Sequence, residues 1–278
     1  MKQRSYDGSP ILYLIPTPIG NIEDITIRAI NILKEVEIIF AEDTRVTKKL
    51  LDYYGISKKL ISSHLYNEEK NKEKLLNYLK NNKTIAIVSD RGTPTISDPG
   101  YYLTKIAIEN NYNVVCLPGP TALIPAIAVS GLPDKFIFYG FLNSKETKRK
   151  KELEKLKNEP FTIIFYEAPH RINKTLQNLK EVFGNRYCVI VREISKKYEE
   201  IIRGDINLLI NETKEIKGEI VLIVEGNKET KKYDNLSLKE HIKLYIDDGL
   251  EAKEAIKLVA KERKLPKSEV YNEYHRNE

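Results

Sequence analysis

Apolar and polar positions alternate between two periods along this chain. Short apolar runs, such as 11–15 (I-L-Y-L-I) and 84–89 (T-I-A-I-V-S), have the length and composition of strands buried on both faces. Between such runs, apolar residues recur every three or four positions, as on one face of a helix. Asp24 can cap a helix running to about Glu35, with Ile25, Ala29, Ile32 and Leu33 on one side. Strands are predicted at 37–41, 60–62 and 113–117, and helices at 44–54, 67–79 and 101–110. Residues 11–117 therefore predict an open α/β domain with a largely parallel sheet.

Leu117-Pro118-Gly119-Pro120 interrupts this pattern where a domain boundary is expected. An apolar helix at 121–129 follows. Strands are predicted at 136–141, 162–166, 187–192, 199–203 and 219–224, with helices at 145–157 and 171–183. Hairpin-like and crossover connections both occur, so a mixed sheet is expected over 118–226. After the polar stretch K-E-T-K-K-Y-D-N (228–235), the chain predicts three helices at 238–247, 251–264 and 267–275, punctuated by Gly249 and Pro266. The predicted organisation is thus 11–117, 118–226 and a helical module at 235–278.

Composition narrows the function. The chain has 278 residues, 41% hydrophobic and 31% charged, enough for a sizeable core under a well-solvated surface. No run reaches the ~18 apolar residues of a membrane span. Cys116 and Cys188 lie in strand-like runs without metal or disulfide spacing, which points to a reducing cytoplasm. The four histidines form no metal-binding pattern, so no metal site is expected. A net charge of +6 is compatible with an anionic partner.

The usual glycine fingerprints are missing. There is no G-x-G-x-x-G, no G-x-x-x-x-G-K-[ST] and no G-x-S-x-G. The densest loop is instead 89–100, S-D-R-G-T-P-T-I-S-D-P-G, directly after a strand. Strand C-termini in open α/β sheets are where ligands bind. Gly92 and Gly100 give backbone access, Pro94 and Pro99 stiffen the path, and Asp90, Thr93, Ser97 and Asp98 supply polar groups. Capping of the next helix accounts for Ser97-Asp98-Pro99 but leaves Asp90 through Pro94 unexplained.

Several segments together carry a resemblance. They are L-Y-L-I-P-T-P-I-G-N (12–21), A-E-D-T-R (41–45), S-D-R-G-T-P-T-I-S-D-P-G-Y (89–101), L-P-G-P-T-A-L (117–123), S-G-L-P (130–133), F-Y-E-A-P-H-R (165–171), V-R-E-I-S-K (191–196) and G-E-I-V-L-I-V-E-G (218–226). In this order the set resembles the tetrapyrrole-methylase superfamily, and is similar to its 16S rRNA cytidine 2′-O-methyltransferase branch. The resemblance implies two α/β domains with an S-adenosyl-L-methionine cleft between them, and a homodimer. It implies methylation of a cytidine ribose in 16S rRNA of the small ribosomal subunit, near the decoding centre. Arg91 and Thr95 depart from the family pattern, which has a small residue and Gly there.

By the same resemblance, Gly92, Thr93, Pro94, Ser97, Asp98 and Gly100 bind the cofactor. Ser130, Gly131, Tyr166 and Glu167 complete its site from the second domain. The hydroxyl that accepts the methyl needs a proton acceptor; among polar groups at the predicted strand ends, His64, Glu68 and Asp90 are the candidates. Arg45 is unfavourable in a first helical turn, which makes it a candidate contact to RNA phosphate or ribose. Two basic clusters could meet phosphates. One runs from Lys145 to Lys157. The other, 250–267, carries six basic and three acidic residues in a helix-turn-helix-like tail expected to aid RNA docking. A solvated helix face explains the first cluster equally well. A same-fold enzyme for a tetrapyrrole or other small molecule, and a non-enzymatic ribosome assembly factor, are the competing readings.

Overall fold

The computed structural model describes residues 2–228 and 236–276. Residues 229–235, most of the polar stretch noted above, lie outside the described residues, as do Met1 and residues 277–278. The chain forms two compact units, Met1–Gly226 and Asn227–Glu278.

The first unit holds two five-stranded sheets. The first has the order β3-β2-β4-β1-β5, with every neighbouring pair parallel. Its strands are β1 (Ile11–Leu14), β2 (Ile38–Ala41), β3 (Lys59–Ser62), β4 (Ile85–Val88) and β5 (Asn113–Cys116). Parallel strands need crossovers, supplied by α1 (Ile27–Glu35), α2 (Thr44–Tyr53), α3 (Glu68–Lys80) and α4 (Tyr101–Glu109). The apolar runs of β1, β2 and β4 are buried on both faces. Ile11, Tyr13, Ile39, Ala86 and Val88 face α1 and α2 residues such as Leu33 and Leu51. Leu12, Leu14, Phe40 and Ile87 face α3 and α4 through Leu75, Leu79 and Leu103. All five strand C-termini therefore open onto one edge, where the segments 15–20, 42–43, 63–67, 89–100 and 117–121 begin.

The second sheet is mixed, in the order β6-β7-β10-β8-β9. The pair β6 (Phe136–Phe141) and β7 (Thr162–Glu167) is parallel. β10 (Ile220–Val224), β8 (Tyr187–Arg192) and β9 (Glu200–Asp205) join by antiparallel ladders. One face packs on α6 (Glu146–Leu156), α7 (Ile172–Phe183) and α8 (Ile206–Glu212), the other on α5 (Leu123–Ser130) and Ile19.

The second unit is a three-helix module of α9 (Leu238–Asp247), α10 (Ala252–Arg263) and α11 (Lys267–His275) around Ile242, Ala255, Ile256, Val259 and Val270. Ser237 and Glu240 form a reciprocal capping box at its start. Among the described residues no helix is long and apolar enough to cross a membrane.

Two local expectations are corrected. Thr26, not Asp24, caps α1, its hydroxyl accepting from Ala29 N–H, while Asp24 ends a separate 3-10 turn capped by Asn21. Helix α8 was not anticipated: Ile206-Asn207-Leu208-Leu209-Ile210 has too short an apolar pattern to separate from a strand, and only the Asp205 cap marks it.

Candidate cofactor site

Three loops interlock at the open edge of the first sheet. Thr17 and Gly92 exchange both backbone hydrogen bonds at 2.9 Å, and the Thr17 hydroxyl donates to Ser89 O. The Thr93 hydroxyl donates to Pro120 O at 3.3 Å. Gly119 packs so closely on Pro16 that a Cβ there would sit 2.8 Å from it. The loop at 89–100 is thereby held in an unusual path, with Gly92 and Gly100 at positive φ, and also Thr95 (+75°) and Ser97 (+63°). A side chain at such φ costs ~1–2 kcal/mol.

The second sheet reaches this loop through Gly140. β6 bulges between Phe138 and Gly140, and Gly140 takes φ +81°. A Cβ on Gly140 would lie 2.9 Å from Ser97 Oγ. Only a bare Cα lets the strand and the loop approach so closely.

Between them lies a cavity of ≈ 350 Å³, within the range of small-molecule sites. The loop contributes Gly92, Thr93, Ser97 and Asp98 to its wall, and the second sheet contributes Phe141, Tyr166, Glu167, Ile220 and Val221. Phe141 and Tyr166 meet edge to face at 5.6 Å and make one wall aromatic. Asp98 brings the charge. Burial, then the carboxylates of Glu42 and Asp90, push its carboxyl up to about 7. Among the described residues no basic side chain hydrogen-bonds or ion-pairs with Asp98, so a cationic ligand would relieve it.

Glu42 and Asp90 form a second acidic layer. Asp90 N–H donates to Glu42 Oε2 (3.1 Å) and Asp43 N–H to Asp90 Oδ1 (3.0 Å). Burial raises both the Glu42 and Asp90 carboxyls. His64 lies close enough to Glu42 to oppose that rise. The His64 backbone N–H is fixed by Asn67 Oδ1, and its ring Nδ1 is buried without a hydrogen bond among the described residues.

Several candidates hold other positions. Both Glu68 oxygens accept from the α4 N-terminus, from Gly100 N–H and Tyr102 N–H, so Glu68 caps that helix. Pro94 and Gly100 are buried behind the loop, outside the cavity wall. The Ser130 hydroxyl donates to Ile127 O and accepts from Leu132 N–H, and Gly131 at φ +75° stops α5. Glu167 reaches the wall, but its carboxylate accepts from Thr175 and Ala168 and pairs with Arg171. Arg45 is exposed and bonded to the Asp43 carboxylate, which Arg45 holds down at about 2; this pairing offsets the unfavourable charge in the first turn of α2.

Sequence reasoning left Arg91 without a place and missed Glu219. Arg91 donates to Glu219 across the cavity mouth, and Lys196 joins Glu219 and Glu193 at 2.9 and 2.8 Å. Arg91 and Glu219 both line the cavity. The only signal for Glu219 was its place as the first residue of the strand predicted at 219–224; in the structure it stands just before β10, next to the residue paired with the end of β7. Phe141 had a comparable one, an exposed aromatic at a strand end.

An α/β unit of two sheets, with a cavity-lining loop at the parallel-sheet edge and no glycine fingerprint, defines the class. The family described as Tetrapyrrole (Corrin/Porphyrin) Methylases matches residues 11–209, and the chain belongs to it. A Thermus thermophilus structure, uroporphyrin-III C-methyl transferase complexed with S-adenyl homocysteine, shares the fold at TM-score 0.57 and 16% identity, over 78% of this chain and 97% of that one. Within the family the chain is similar to the ribosomal RNA small subunit methyltransferase I of Bacillus subtilis (strain 168). The two are 50% identical over 218 residues, 77% of this chain and 75% of the relative. The protein of that name from Escherichia coli O157:H7 is 45% identical over 219 residues, 77% of each chain.

Proposed function

We propose that this chain transfers the methyl group of S-adenosylmethionine to the ribose 2′-hydroxyl of a cytidine in 16S rRNA of the small ribosomal subunit. The 50% identity to the Bacillus subtilis enzyme over 218 residues, 77% of this chain, carries this assignment. The cavity fits the cofactor on its own terms: an aromatic wall for a purine, open backbone at Gly92, and an uncompensated Asp98 for a sulfonium. Bound there, the cofactor supplies a methyl group already activated by the positive sulfur.

The residues then have three tasks. Thr93, Ser97, Asp98 and the backbone at Gly92 hold and orient the cofactor, with Tyr166 and Phe141 excluding water from its flat face. His64 and Asp90, at the ends of β3 and β4, are the groups able to take the hydroxyl proton; Asp43 and Glu42 fix Asp90 by the two hydrogen bonds given above. Arg45, exposed beside Lys48 and Lys58 on a shallow depression, meets RNA phosphate. Residues 11–117 and 118–226 act as the two halves of the site, 235–278 as an RNA-docking appendage, and the enzyme works as a cytoplasmic homodimer.

Incubating small subunits with methyl-labelled S-adenosylmethionine and mapping the labelled nucleoside tests this directly. Label in a cytidine ribose is the expected result. Label in a base would refute the ribose assignment. Failure to bind the cofactor by calorimetry would favour an assembly factor.

A further inference from the structure

The helical module carries one charged feature that its own packing does not explain. Lys253, Lys257 and Lys261 recur every four residues along α10, and Lys264 follows at its C-cap. At 100° per residue the first three fall within an arc of ~80°, spaced ~6 Å along the axis. All four are exposed, and among the described residues none is ion-paired; Glu254 flanks them without pairing. The opposite face, Ala255, Ile256, Val259 and Ala260, is buried in the module core.

Other basic helices here are only partly engaged, and Lys148, Lys151 and Lys155 on α6 are likewise exposed and without an ion pair among the described residues. On α6, Lys150 pairs with Glu146 and Glu181, Lys157 pairs with Glu154, and buried Arg149 donates to Asn178 Oδ1. On α11, Glu269 and Glu273 accompany Lys267 and Arg276, and Arg276 pairs with Glu273. In helix-turn-helix proteins the second helix of the motif enters the groove. Here that helix, α11, is close to neutral and the preceding helix bears the charge.

We propose that the Lys253-Lys257-Lys261-Lys264 face of α10 docks the RNA substrate by its phosphates, without reading its bases. This rests on the rRNA reading given above. Lysines are point charges suited to phosphate. The stripe has no Arg, Asn or Gln able to make paired contacts to a base edge. An anionic membrane fits less well, because the apolar face that a membrane helix would insert is already used in the core.

The test uses the full chain with Lys253, Lys257, Lys261 and Lys264 all changed to Gln, a swap that keeps helix propensity. Binding to small subunits is measured from 50 to 200 mM salt, beside a Lys239→Gln/Arg276→Gln control. Each lost phosphate contact removes ~0.7–0.9 from the slope of log K against log salt. The quadruple variant should therefore lose about 3 from the slope and at least tenfold in affinity, with cofactor affinity unchanged. The control should lose less than 1. An unchanged slope in the quadruple variant overturns the proposal, as does an equal loss in the control. So does capture of the wild type, but not the variant, by anionic phospholipid vesicles with subunit binding unaltered. A wild type that neither binds nor labels small subunits instead overturns the rRNA reading itself.

Discussion

Asp98 is the most exposed point of the cofactor assignment to experiment. Its carboxyl is pushed up to about 7 by burial and by facing Glu42 and Asp90. At pH 6 about one protein in ten then carries the charge on Asp98, and at pH 8 about nine in ten. A cationic cofactor that needs the ionised form binds about tenfold more weakly at pH 6 than at pH 8, or ~1.4 kcal/mol. The stability of the ligand-free protein runs the other way. The folded pKa lies above the unfolded value of 3.8, so the stabilisation from this group is complete below pH ~4 and lost as pH rises to ~7. Asp98→Asn should accordingly melt higher than wild type at pH 8, with a gap that narrows toward pH 4.

Calorimetric titration of wild type and Asp98→Asn with S-adenosylmethionine at pH 6, 7 and 8 measures the binding arm. The cofactor's own amino group titrates in this range, but identically against both proteins, so the ratio of their affinities isolates Asp98. That ratio should grow about tenfold from pH 6 to pH 8. A ratio that stays constant would show that Asp98 does not face the bound cation, and the cavity would lose its main chemical argument.

Three further perturbations probe the neighbouring contacts. Gly140→Ala places a Cβ 2.9 Å from Ser97 Oγ at φ +81°, so it should cost ~1–2 kcal/mol in urea unfolding and weaken cofactor binding; Ser97→Ala added to it should restore part of the stability loss by removing the clash, but not the binding, since Ser97 also holds the cofactor. Arg91→Ala removes an exposed pair worth under ~1 kcal/mol, so melting should barely move while cofactor dissociation, followed by stopped flow, speeds severalfold at low salt and matches wild type at ~1 M salt. Thr95→Gly releases left-handed strain and should raise stability by ~1 kcal/mol after the added freedom of the unfolded chain is counted; a loss of stability would mean that its Thr95 N–H to Pro99 O turn depends on the side chain.

The first sheet was legible because its strands are short, apolar on both faces and separated by helices with clear periodicity. Strand ends then pointed to 89–100 as the candidate ligand loop, since a parallel sheet sends every C-terminus to one edge. Side-chain roles were less legible wherever a polar group had two possible partners. Glu68 reads as a free acid near a strand end, yet its carboxylate is taken by backbone N–H groups thirty-odd residues away. Ser130-Gly131 reads as ligand backbone, but the same pair makes a good helix stop, and it serves as one. Arg91 and Glu219 are 128 positions apart, and no local pattern joins them.

Charge ties the two units into one scheme. The carboxylates of Glu42, Asp43, Asp90 and Asp98 that suit a cation also repel a polyphosphate. A site built this way gains affinity for its donor at the expense of attraction for its acceptor, since both interactions run through the same field. Apart from Arg45 beside Asp43, phosphate contacts must then be supplied elsewhere on the chain, and covalent linkage makes that sufficient. A docking helix joined to the site raises the local concentration of RNA to the millimolar range without any contact inside the cavity. The unpaired lysines of α10 meet this requirement, and the acid layer explains why they are not found in the cavity wall. Losing those lysines should therefore impair RNA binding most at low salt, where phosphate contacts contribute most, with the gap to wild type narrowing as salt rises, and leave the pH profile set by Asp98 untouched.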